Sequence, residues 1–245
     1  MKKLLASVGI GNATVDTVLP STTVTPGETV EAAVEITGGN AEQDVGAIRF
    51  DLETRIRTDD GYTDVDVDRF TLAESLTIEP GAEETRPVDV DVPYHTPITV
   101  GNTRVWIETE LDIDRAVDPE DTDYLDVQPT PRLRAVFDAM DELGFSFRTA
   151  DCEFDPHGRY TGGRRFVQEF EFRPQSGPFA GDLDEVDLIA RPAAEALTLF
   201  VEVDRRGGLL SELTDTDERA TSATIESADV GTVREQLRSL IERHA

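Results

Sequence analysis

Along most of the first half of this 245-residue chain, apolar residues recur at every second position. Val30, Ala32, Val34 and Ile36 alternate with Glu31, Ala33, Glu35 and Thr37. Ile48, Phe50, Leu52 and Ile56 alternate with Arg49, Asp51, Glu53, Arg55 and Arg57. Val88, Val90 and Val92 flank Asp89 and Asp91, and Val105, Ile107, Leu111 and Ile113 flank Trp106, Glu108, Glu110 and Asp112. A repeat of two places successive side chains on opposite faces of a strand, one set in a core and the other in water. Turn-forming groups separate the strips: Thr25-Pro26-Gly27-Glu28, Gly38-Gly39-Asn40, Asp59-Asp60-Gly61 and Glu79-Pro80-Gly81. Short strands with one wet face and no helices between them predict an antiparallel β-sandwich.

Asp118 to Pro131 is acidic and proline-bearing and reads as a junction. A helix is expected after it. Thr130 can cap its start, Pro131 suits the first helical position, Leu133, Val136, Phe137, Met140 and Leu143 form one stripe, and Gly144 can end it. Strands then resume from Phe145 to Phe154, Phe166 to Phe172, Val186 to Ala190 and Leu197 to Val203, with a weaker one at Ala223 and Ile225. The Leu197 strand carries Phe200 on its second face and reads as central. The end is an amphipathic helix, capped by Asp229 and carrying Val230, Val233, Leu237, Leu240 and Ile241. The fold expected is mainly β, with domains at residues 1–128 and 129–245, a helix after the junction and a C-terminal amphipathic helix. The acid excess is greater before Gln128 than after it, which agrees with a boundary there.

Charge narrows the setting. The chain holds 51 acids against 23 bases, a formal net charge of −28, and only Lys2 and Lys3 are lysine. Such a charge repels itself in dilute salt and is screened in molar salt, where the Debye length falls to about 3 Å. The acids occupy the wet positions of the strips, so the reading is a protein of a salt-rich cytoplasm. A rival reading is an acidic surface that attracts a basic partner. Either one disfavours binding to nucleic acid phosphates. The opening MKKLLASVGIGNAT imitates a short secretory leader, but its apolar run from Leu4 to Ile10 is brief and contains Gly9. A first strand or an ordered arm is expected there. No segment approaches the ~20 apolar residues of a membrane span.

Catalytic and cofactor signatures fail on inspection. Gly9-Ile10-Gly11 begins a G-x-G pattern, but Thr14 stands at the third glycine. Cys152 is the only cysteine, which rules out an internal disulfide and a thiolate zinc site. His95, His157 and His244 lie in turns or at the terminus, with nothing placing a nucleophile beside them. The acids Asp112, Asp114, Asp118, Asp121 and Asp123 do not make a calcium loop, because Ala116 and Val117 occupy positions that need an oxygen ligand and a glycine. Asp64, Asp66 and Asp68 fail similarly. No catalytic, cofactor or metal-binding residue is therefore assigned. Two arginine groups remain. Asp204-Arg205-Arg206 follows the most apolar strand of the second half, and Arg164-Arg165 precedes another. Forked guanidinium contacts suit carboxylates, so both are candidates for polar contacts with a partner or between domains, beside the plainer reading of wetted strand ends.

The order and spacing of many short segments resemble a known family, the bacterial and archaeal sporulation-control proteins with an arrestin-like fold, here in a haloarchaeal-type version. The likeness runs through Lys3 to Gly11, Val15 to Leu19, Pro26-Gly27-Glu28, Gly38-Gly39, Glu42-Gln43, Ala116 to Pro119 and Asp123-Tyr124. It continues through Leu143-Gly144-Phe145, Ala150 to Glu153, Phe166 to Phe172, Leu183 to Val186 and Glu202 to Arg206. The resemblance implies two arrestin-like antiparallel β-sandwich domains in tandem and no catalytic residues. It also implies a regulatory role exercised through protein partners whose identity the residues do not encode. Sheet edges could equally pair two copies into a homodimer. The alternative is a small-ligand or cation-binding protein that uses the inter-domain cleft.

Overall fold

In a computed structural model of the chain, the described residues are 13–58, 60–113, 118–155, 157–158, 160–161, 164–205 and 221–244, without the side chains of Ala73, Glu74 and Arg205. The leader-like opening, Gly9-Ile10-Gly11, Asp59, Asp114, Ala116, Val117 and Arg206 lie outside them.

The two-residue alternation becomes two facing sheets. One holds β1 (Thr14–Val18), β3 (Thr29–Thr37) and β6 (Glu83–Asp91), with β3 in the middle and both pairings antiparallel. The other is built on β4 (Gln43–Thr58), which pairs with β5 (Gly61–Ile78) and β7 (Val105–Ile113). Next to β7 runs β8 (Glu120–Val127), and the short β2 (Thr23–Val24) closes that side in parallel. Val34 and Ile36 from the first sheet, and Ile48, Phe50, Leu52, Ile107 and Leu111 from the second, are all buried in one core. Glu31 and Glu35 stand on the wet side of β3. The Thr25–Glu28 turn forms as its composition requires: Glu28 N–H donates to the Thr25 carbonyl at 3.0 Å, and Gly27 adopts φ +94°.

Two strands correct the sequence reading. Residues 120–127, read as part of a junction, are β8, with Leu125 and Val127 buried and Tyr124 and Asp126 exposed. Two inward apolar residues suffice at the flank of a sheet. The long β5 went unread because its inward positions are weak: Val67 is buried, whereas Val65, Phe70 and Leu72 are only partly covered. Its ladder with β4 supplies what the side chains do not.

The second half is an antiparallel meander of β9 (Phe145–Phe154), β10 (Phe166–Pro174), β11 (Leu183–Pro192), β12 (Leu197–Arg205) and β13 (Thr221–Ile225), in that spatial order. The strand at Leu197 is thus second from the edge rather than central. The sequence leads to a second sandwich here. The described strands form one sheet instead, and the layer over its apolar face is helical. Helix α1 (Pro131–Glu142) places Phe137 against Phe147, Phe170 and Phe172, with ring centroids 5.2–5.6 Å apart. Helix α2 (Val230–Glu242) packs beside α1 and buries Val233, Leu237, Leu240 and Ile241. A single greasy face needs only one covering layer, and two amphipathic stripes provide it. Thr130 caps α1 by accepting from Leu133 N–H, and Asp229 caps α2 by accepting from Thr232 N–H at 2.8 Å.

The two halves share a sheet. Pairing of β4 with β7 ends at Thr54, while β5 continues along the other edge of β4 as far as Thr58. The edge vacated by β7 meets β9 in parallel, with Arg57 opposite Glu153.

Candidate functional site

The features with most chemical content gather where the halves meet. Close approach there is set by backbone: Gly101 has φ +63°, and a Cβ at that position would lie 2.4 Å from the Ala150 nitrogen. Asn102 N–H donates to the Ala150 carbonyl at 2.9 Å. Gln168 reaches from β10 into the loop before β7. Its Oε1 accepts from Ile98 N–H at 2.9 Å, and its Nε2 donates to the Ile98 carbonyl at 2.7 Å and to Thr103 Oγ1 at 2.9 Å. A buried amide with these three bonds is a satisfied clamp. Arg57 pairs with Glu153, and Tyr62 Oη contacts Asp151 at 3.2 Å.

Beside this clamp lies an open recess of about 680 Å³. Its walls are Ile56, Val65 and Val67 from the first half and Phe154 and Phe166 from the second, with Arg164 and Arg165 at the side. His95 also lines it. His95 Nε2 lies 3.1 Å from the Val67 carbonyl, so that nitrogen carries the hydrogen. Burial, and then the neighbouring Arg164 charge, hold the imidazole below its ordinary range despite the opposing bond to Val67. His95, Arg164 and Phe166 also line a smaller chamber of about 40 Å³ together with Thr96, Tyr160 and Arg191.

The two arginine groups picked out in the sequence do not come together. Arg164 and Arg165 precede β10 at the end of the sheet where Phe166 faces Phe154. Asp204 and Arg205 sit at the opposite end, where β12 pairs with Leu183 and Glu185. Asp204 there lines a polar recess with Arg173, Asp184 and Glu185, and Arg173 pairs with Glu171 and Glu185.

On the sheet face away from the helices, Glu171, Asp187 and Glu202 stand side by side in register across β10, β11 and β12. Desolvation, followed by repulsion from Glu169, Glu185, Glu171 and Glu202, pushes the Asp187 carboxyl up to about 8. Desolvation, then Glu153 and Glu202, raises Glu169 to about 7. The in-register stacking of acids is visible only once pairing is known. Cys152 is 2% exposed, and burial pushes its thiol up to about 12, which keeps it protonated and inert.

The acids that resemble a cation loop in sequence are engaged elsewhere. Asp112 pairs with Arg49, Asp118 accepts from Ile113 N–H at 2.8 Å, and Asp121 accepts from Thr17 N–H at 2.7 Å. Among the described residues, no group of three or more His, Cys, Asp or Glu side chains is arranged to hold a metal ion. Among the same residues, no helix is long and apolar enough to cross a membrane.

Comparison with known proteins gives a consistent picture. Residues 1–207 match the family described as SpoOM protein. The sporulation-control protein spo0M of Bacillus subtilis (strain 168) is 37% identical over 257 aligned positions, spanning 100% of this chain and 98% of that one. The crystal structure of Spo0M from Bacillus subtilis superposes with a TM-score of 0.86 at 34% identity, covering 96% of this chain and 100% of that chain. A β-glucosidase from Listeria innocua aligns with 49% of this chain at a TM-score of 0.30 and 12% identity, values that carry no argument.

Proposed function

This chain belongs to the Spo0M family (SpoOM protein), and from that premise we propose that it is a non-enzymatic regulatory adaptor acting through protein contacts in a salt-rich cytoplasm. The observation that carries this reading is the end-to-end likeness to a sporulation-control protein, in both sequence and fold. The sheets supply a physical means. Strand β5 is 18 residues long and, among the described residues, pairs only with β4. A free edge of that length offers backbone donors and acceptors to an added strand, and such recognition makes few demands on side chains. This is why no sequence motif names the partner. The same edge can pair two copies of the chain.

Capture of tagged protein from a high-salt lysate, analysed by mass spectrometry, tests the proposal. The expected result is a distinct protein partner, lost when proline is placed at Thr71 to disrupt the β5 edge. Recovery of self-association alone would count against the adaptor role.

A further inference from the structure

Around the recess between the halves, a cation without an ion pair lies near a buried hydroxyl without a hydrogen-bond partner among the described residues. Arginines of the sheets mostly sit against carboxylates: Arg49 on Glu110 and Asp112, Arg55 on Asp64, Arg69 on Asp51 and Asp66. Arg164 does not. Among the described residues it forms no ion pair, and desolvation, then the charge of a second guanidinium, Arg191, lower its proton affinity. Arg191 donates to the Tyr160 carbonyl at 3.4 Å and lies over the Phe200 ring at 5.7 Å, but in a chain with 51 acids neither guanidinium has a carboxylate partner among the described residues, and an anion from outside would supply one. Thr96 adds an independent sign. It is 3% exposed, lines the smaller chamber with Arg164 and Arg191, and its hydroxyl has no hydrogen-bond partner among the described residues. A buried hydroxyl left unmatched is costly unless something completes it.

The neighbouring walls define the rest of the ligand. The larger recess, which shares His95, Arg164 and Phe166 with the chamber, is mainly aliphatic and aromatic. Phe154 is 51% exposed at its mouth, a large uncovered ring on an otherwise charged surface. The recess volume lies within the ~300–1,000 Å³ typical of small-molecule sites. Two carboxylates on its wall do not oppose an anion strongly, because Asp64 is held by Arg55 at 3.4 Å and Asp66 by Arg69 at 3.2 Å.

We propose that this recess binds an anionic amphiphile, with a carboxylate-type head seated on Arg164, backed by Arg191 and the Thr96 hydroxyl, and a short apolar body lying along Val65, Val67 and Phe154. The site is separable from the adaptor role, since it uses the side chains of Val65 and Val67 on β5, whereas an added strand would use the backbone of that strand's edge.

Isothermal titration of the full chain with octanoate below its micelle-forming concentration tests this, with acetate and 1-octanol as the head-only and body-only probes. Octanoate is expected to bind saturably at one per chain, and each of the other two at least about tenfold more weakly. Arg164→Ala should weaken octanoate by about tenfold or more, with Arg164→Lys intermediate. Phe154→Ser should weaken octanoate without changing the response to acetate. Both positions are exposed, and circular dichroism verifies that each variant is folded. No saturable heat with octanoate, equal affinity for octanol, or indifference to Arg164→Ala would each overturn the proposal.

Discussion

Asp187 stands in the middle of a row of acids, and its environment holds a proton that a free aspartate would release. A carboxyl whose folded-state value is raised binds its proton more tightly folded than unfolded. Its stabilising contribution is therefore full below the ordinary carboxylate range, near 3.8, and is lost as pH rises through about 8. Replacing it with a neutral isostere removes that loss. Asp187→Asn is expected to stabilise the protein at pH 9 by about 1–2 kcal/mol, a figure reduced for partial solvent screening, and to have little effect at pH 5. Urea unfolding at the two pH values measures the difference. Gln168 presents the opposite case, because its amide satisfies both backbone groups of Ile98. Gln168→Leu would strand them and is expected to cost about 2–3 kcal/mol, read as a lower urea midpoint with an unchanged slope. Neither role was legible in the sequence. Asp187 looked like one more wet acid, and Gln168 sat inside an apolar run with nothing to indicate the loop it reaches 70 residues away.

At the scale of elements, legibility followed the strength of the local pattern. Strands β3, β4, β6 and β7 were plain, since most of their buried positions are aliphatic or aromatic and recur at every second residue. Both helices were plain because a cap and a stripe coincide at each. Asp229→Ala is accordingly expected to loosen the first turn of α2, seen as fraying in amide hydrogen exchange before any global loss. Strands β5 and β8 were missed for a shared reason: each borrows its stability from a ladder with a better-packed neighbour, β4 or β7, and such pairing leaves no trace in local composition. The helical cover over the second sheet was hidden differently. The sequence showed both helices but not that they lie side by side over the same sheet, α1 against β9 and α2 against β13. Arg164 and Arg165 were noticed as cations. The cavity beside them was not, because its walls come from strands far apart in the chain.

For the molecule as a whole, a net charge of −28 on 245 residues sets how stability responds to salt. Acids stand next to acids along the wet side of the second sheet, so screening relieves repulsion that the fold itself creates. Shortening the Debye length from about 30 Å at 0.01 M to about 3 Å at 1 M should raise the thermal midpoint steadily. Scanning calorimetry in potassium chloride measures this, and a flat response would mean that the acids are spaced widely enough to ignore one another.

Gln168 also fixes what cutting the chain would do. The amide that completes the Ile98 loop belongs to the later half, while the loop belongs to the earlier one. Expressed separately, the earlier piece would carry bare peptide groups in a hole shaped for a missing side chain, and the later piece a polar finger with nowhere to insert. Evolution cannot shuffle these two pieces like beads on a string; they inherit each other.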